Sequence, residues 1–125
     1  MADNRTTSVA VANDMDGTAS ITLRHRHGDN PPEEKSWPGL AIGQAGEPLE
    51  VHYQTGLFTA FDYWHVRVEV TDGKAKGVWE NDDDKECYLT EEDQGTVLRF
   101  SVSGDGGFKL NMISSSCTDD LDKVS

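Results

Sequence analysis

The residues best placed for chemistry are His25 and His27, at the end of the alternating run Ala19-Ser20-Ile21-Thr22-Leu23-Arg24-His25-Arg26-His27. In a strand, residues two apart project to one side, so two such imidazoles can ligate one metal ion. Glu33 and Glu34 follow, and His65 or His52 could complete a ligand set for a small metal-dependent barrel enzyme. The pair also continues the inward face of Ala19, Ile21 and Leu23, and so equally marks where that face reaches the rim of a sheet. The second candidate is Glu80-Asn81-Asp82-Asp83-Asp84-Lys85-Glu86, the densest charge in the chain. Asp82, Asp83 and Asp84 are calcium ligands in principle, but the run lacks the glycine of an EF-hand loop. Asp14-Met15-Asp16-Gly17 has that glycine, but Ala12 and Leu23 stand where the first and last ligands belong. A solvated loop that favours solubility is the plainer reading of the acidic run.

Aromatic residues supply the third candidate. Gly56 to Trp64 is the most aromatic stretch and lies between two alternating segments, so it reads as a connection whose rings either cap the core or bind. Exposed rings stack on sugar faces or sit at a lipid interface. Phe58 in this stretch and Trp37 in a proline-rich segment are the rings expected to be exposed. If Leu49–Thr55 and Tyr63–Val70 pair as a hairpin, Glu50, His52, Gln54, His65, Arg67 and Glu69 form one polar face beside Tyr63. Such a face suits a sugar and is also what any solvated sheet presents. The ligand-binding residues expected are therefore Trp37, Phe58, Tyr63, His52, His65 and Arg67.

Nucleophile elbows, phosphate-cradling glycine loops and Cys-x-x-Cys pairs are absent from the sequence, which points away from an enzyme. The net charge of −12 over 125 residues argues against nucleic acid and against anionic membrane surfaces, because both require clustered cations. Much of that charge is local: Glu80 to Asp93 carries eight acids and one lysine. A basic protein partner, as for an inhibitor or immunity-type module, would dock there. No apolar run approaches the ~18 residues of a membrane-spanning helix, and the mean hydropathy is −0.62. The start, Met1 to Thr7, lacks the apolar core of a secretory signal, so the chain reads as cytoplasmic, or as secreted if a signal has been replaced. Asn4-Arg5-Thr6 fits a glycosylation sequon, a chance match in a cytoplasmic protein. Cys87 and Cys117 are either two free thiols or a disulfide closing a loop of some thirty residues.

The elements that must position these residues are strands. Alternation recurs at Val9–Val11, Ala19–His27, Leu49–Thr55, Tyr63–Val70, Val97–Val102 and Phe108–Ile113, and no apolar stripe of helical period is sustained. Gly77–Trp79 and Glu86–Leu89 are shorter candidates, and Gly104-Asp105-Gly106-Gly107 joins the last hairpin. The expectation is an all-β, single-domain antiparallel β-sandwich of about 7–9 short strands. Residues 1–7 form a flexible N-terminus, 8–113 the sandwich and 114–125 a polar acidic tail. The segment from Gly28 to Pro48 holds all four prolines, with an edge strand expected near Leu40–Ile42 and an exposed loop before it. Edge strands of a sandwich can pair into a homodimer.

Two families share part of this pattern. His25-Arg26-His27 followed by an acidic residue resembles the first motif of cupins, although the gap to Glu33 is longer and the second motif is missing. Ser8–Leu23, the acidity, the size and the closing hairpin Ser101-Val102-Ser103 to Phe108-Lys109-Leu110 resemble aegerolysins. That resemblance implies a β-sandwich that binds particular lipids, and in such a lipid-binding or pore-forming module the aromatic Leu57–Phe61 segment would be the inserting element. The reading from the residues themselves is a non-catalytic, lectin-like module for a carbohydrate ligand that needs no cofactor, with calcium as the one candidate ion.

Overall fold

The computed structural model describes residues 3–56, 61–104, 107–113 and 115–125. Its strands in chain order are β1 (Asp3–Asp14), β2 (Ala19–His27), β3 (Glu33–Leu40), β4 (Leu49–Thr55), β5 (Asp62–Val70), β6 (Gly77–Glu80), β7 (Lys85–Glu86), β8 (Val97–Ser103), β9 (Gly107–Asn111), β10 (Ser116–Asp120) and β11 (Asp122–Lys123). One sheet runs β10-β9-β8-β1-β4, and the other runs β11-β6-β5-β2-β3 with β7 added to β5. The all-β sandwich is therefore as expected, with one sheet curled into a half-barrel and more strands than the alternation alone delimits. No helix among the described residues is long and apolar enough to cross a membrane.

Strict alternation creates the core. On β5, Trp64, Val66, Val68 and Val70 point inward while Tyr63, His65, Arg67 and Glu69 face out. On β2, Ala19, Ile21 and Leu23 do the same opposite them. From the other sheet Val9, Val11, Phe100, Phe108 and Leu110 close the interior. Trp64 sits at its centre, with its ring 5.0 Å edge-on to Phe100 and its indole N–H donated to the Cys87 carbonyl at 2.9 Å. An aromatic pair in that geometry adds stabilisation beyond the area it buries.

Four details differ from the sequence expectation, each for a local reason. First, β1 and β8 pair in parallel, because the chain crosses between the sheets before returning beside its own first strand. Second, residues 3–7 are not a loose lead-in: they pair with β4, and Thr7 is buried. Third, the edge strand of the proline segment is β3, starting at Glu33 rather than near Leu40. Proline is tolerated on an edge, and the ladder shifts register opposite Ala19 and Ile21, where Gly39 has φ +62° next to Pro38. Fourth, the acidic tail is folded: β10 lies against β9 in one sheet and β11 against β6 in the other.

The tail is also covalently fixed. Cys87 and Cys117 form a disulfide, with Cα atoms 6.2 Å apart and a sequence separation of 30. Closing a loop of this length restricts the unfolded chain by about 3–4 kcal/mol. The double variant Cys87→Ala/Cys117→Ala is expected to lose that much stability in urea denaturation. A loss under 1 kcal/mol would show that β10 and β11 hold the tail by themselves.

Candidate functional site

Along one side of the sandwich the edge strand of each sheet comes to the other: β3 from one and β4 from the other. Edge strands carry unpaired backbone N–H groups, which must be covered. Here side chains cover them. The N–H of His52 donates to Glu33 Oε1 at 2.8 Å, and the N–H of Gln54 donates to His27 Nε2 at 3.2 Å. The histidine pair singled out in the sequence is therefore part of a seam.

His25 is fully buried and His27 nearly so. Nε2 of His25 lies 2.7 Å from Asp62 Oδ1, and its Nδ1 lies 3.2 Å from Glu33 Oε1. A carboxylate only accepts, so both His25 nitrogens carry protons and the ring is an imidazolium. His27 differs. Its Nε2 accepts from Gln54, so its proton sits on Nδ1, which donates to Asp62 Oδ1 at 2.8 Å. Asp62, also buried, takes a third hydrogen bond from the Leu89 N–H on its Oδ2 at 2.9 Å. Glu33 Oε2 accepts from His52 Nδ1 at 2.6 Å. No buried side-chain nitrogen or oxygen among the described residues lacks a partner.

This arrangement fixes the electrostatics. Burial alone would push the His25 imidazolium down, but the hydrogen bonds and charges of Asp62 and Glu33 outweigh it and hold its pKa above the usual value. Burial alone would push Glu33 up, but His25 and His52 bring it down to about 2. Among the described residues, no group of three or more His, Cys, Asp or Glu side chains is arranged to hold a metal ion. The two histidines are instead committed to carboxylates on β3 and β5.

Next to the seam, at one end of the sandwich, opens a cleft of about 440 Å³ lined by Asp3, Arg5, Gln54, Phe61, Tyr88 and Glu91 among others. Asp62 and Leu89 form part of its wall, so the buried network ends at the cleft. Phe61 and Tyr88 are each about half exposed, with ring centroids 5.0 Å apart and planes tilted by 39°. The Tyr88 hydroxyl donates to Glu86 Oε1 at 2.7 Å, a bond that raises its pKa. Arg5 is held by Thr55 Oγ1, Gln94 Oε1, Asp3 and Glu91, the last two at 3.6 and 3.7 Å. The cleft therefore combines an aromatic pair with a fixed guanidinium and amide and hydroxyl groups. Beneath it, Tyr53 donates its hydroxyl to the Thr90 carbonyl, and burial followed by Asp93 pushes that phenol up to about 12.

The sequence candidates are scattered relative to this cleft. Trp37 is in the core, because Gly46 lies flat against its ring and the Glu47 backbone carbonyl accepts its indole N–H, so it presents no exposed face. Phe58 lies outside the described residues. β4 and β5 belong to different sheets, so the hairpin face does not form: His52 faces outward from one sheet, while Tyr63, His65 and Arg67 face outward from the other. There, Arg26 stacks 4.5 Å over the Tyr63 ring and His65 meets Glu80 at 3.5 Å. Asp84 is drawn onto Arg24 and Arg26, while Asp82 shares a hydrogen bond with Asp122 that raises its pKa. The acidic run and tail together line a second cavity of about 420 Å³. Sequence reading missed Phe61, Tyr88, Arg5 and Asp62 as site residues. Phe61 and Asp62 stood within the aromatic stretch it marked, whereas Tyr88 and Arg5 carried no local signal.

The seam has a pH signature. His25 has a raised folded-state pKa, so its contribution is full below about 6.5 and is lost as pH rises through that raised value. Glu33, lowered to about 2, contributes above about 4.5, and that contribution is lost as pH falls toward 2. His25→Leu leaves Asp62 buried with a donor missing and is expected to cost about 3–5 kcal/mol. Stability measured from pH 6 to 9, below the range where the phenols Tyr53 and Tyr88 begin to contribute, should fall in the wild type but not in this variant. Parallel curves would refute the imidazolium.

No curated protein matches the sequence. Residues 3–93, from β1 through a 3-10 turn at Glu91–Asp93, match one family model, and with that share of the chain covered the protein belongs to the PUD1_2 family, described as up-regulated in long-lived daf-2.

Proposed function

We propose that this protein is a non-catalytic carbohydrate-recognition module whose ligand sits in the cleft between the Phe61–Tyr88 pair and Arg5. The family description carries no molecular activity, so the reading rests on the cleft. The observation that carries it is the tilted aromatic pair, half exposed on a wall opposite fixed polar groups. A sugar has the matching anatomy: a C–H face that packs on a ring and an edge of hydroxyls that both donate and accept. The volume lies in the range of small-ligand sites, about 300–1,000 Å³. Binding measured by glycan array and calorimetry is expected for the wild type, with a loss of about tenfold or more in Tyr88→Ala and in Phe61→Ala. A negative array from correctly folded protein rejects the reading.

The same rings favour one rival. Aromatic side chains exposed at the end of a sandwich also suit a lipid headgroup region. Co-sedimentation with neutral and sphingolipid-rich vesicles, lost in Phe61→Ala, would replace the sugar by a lipid. No sedimentation together with glycan binding removes the rival.

A further inference from the structure

We propose that the carbohydrate site has a second, aromatic-free subsite across the outer face of β1 and β4, so that it takes an uncharged chain of at least two sugar units. This rests on the reading of the cleft given above. A groove of about 330 Å³ lies on that face, and its walls include Asn4, Thr6, Asn30, His52, Gln54 and Gln94. Arg5 and Gln54 line both this groove and the aromatic cleft, so the two cavities meet at one pair of side chains.

The chemistry of the groove is distinctive for this chain. Four of the side chains named are carboxamides and one is a hydroxyl, and no Asp or Glu lines it, although the sequence holds 23 of them. Asn4 and Gln54 stand directly opposite in the β1–β4 ladder, where Gln54 Nε2 donates to Asn4 Oδ1 at 2.9 Å. That bond leaves the Asn4 amide donors and the Gln54 carbonyl acceptor without a further partner among the described residues. A donor and an acceptor fixed side by side match a vicinal diol, whose hydroxyls each give and take a hydrogen bond. The one guanidinium at the junction, Arg5, is already paired with Asp3 and Glu91, and the amides carry no charge to hold a sulfate or uronate. The aromatic cleft would therefore hold one unit by stacking, and the amide groove the next unit by hydrogen bonds.

The test uses the 125-residue protein made in bacteria, so that Asn4 of the sequon carries no glycan. The probes are neutral gluco-, manno- and galacto-oligosaccharides of one to four units, titrated by calorimetry. The expected result is a gain in affinity of about tenfold from one unit to two, with little change beyond. In Asn4→Ala/Asn30→Ala, which changes side chains confined to the groove, the affinity for two units should drop to that for one. Equal affinities for one and two units in the wild type would overturn the second subsite and leave the aromatic cleft standing. A gain that persists in the variant would do the same. Absence of binding to every probe would overturn both. A single-site variant, Thr6→Val, preserves the strand and removes only a hydroxyl. It guards against misreading a folding defect, because a smaller gain with an unchanged melting curve again supports the groove.

Discussion

The structure depends on one buried carboxylate. Asp62 has left water, and an ionised carboxyl in such a place is costly unless it is paired and hydrogen-bonded. His25, His27 and the Leu89 amide supply three hydrogen bonds to it. His25 in turn needs a second acceptor, which brings Glu33 from β3, and Glu33 then takes both the backbone and the side chain of His52 on β4. One charge on β5 thus ties in three further strands and a loop. The two sheets could pack by apolar contact alone, but apolar contact is non-directional and would let one sheet slide on the other. The polar seam fixes their register.

The seam also places the cleft. Asp62 stands between Phe61, whose ring lines the cavity, and Tyr63, whose ring faces out under Arg26. Its bond to the Leu89 N–H holds the residue next to Tyr88. The two rings that meet over the cleft are thus each one residue from a group tied to the same carboxylate. Disturbing the buried network would displace the aromatic pair without touching either ring.

Alternation in the sequence is a statement about faces, and the faces are correct. Trp64, Val66 and Val68 are in the core, and His25 and His27 do follow Leu23 inward. What alternation does not contain is a strand's partner. β4 and β5 are adjacent in sequence and lie in different sheets, which dissolves the polar face expected of them. Trp37 shows a second limit. Prolines and glycines around it signal a loop, yet Gly46 is the reason an indole can lie buried there, because any side chain at that position would collide with the ring. Asp62 shows a third: its histidine partners are 37 and 35 residues away, and no local pattern marks a pairing that distant. The cysteines were legible as a candidate pair, and the fold decides between thiols and a bond.

The parallel ladder between β1 and β8 has a consequence for how the protein is made. During synthesis β1 is completed on one side by β4, some forty residues later, and on the other by a strand that begins at Val97. Until that segment emerges, Ser8 to Asp14 stays an open edge with its hydrogen-bonding groups unmet. Contacts of such long range come late and slow folding, and a nascent sheet with one bare flank is the species most exposed to wrong pairing between chains. The segment from Val97 onward therefore matters to folding beyond its share of the core, because it closes the flank of β1 that β4 leaves open.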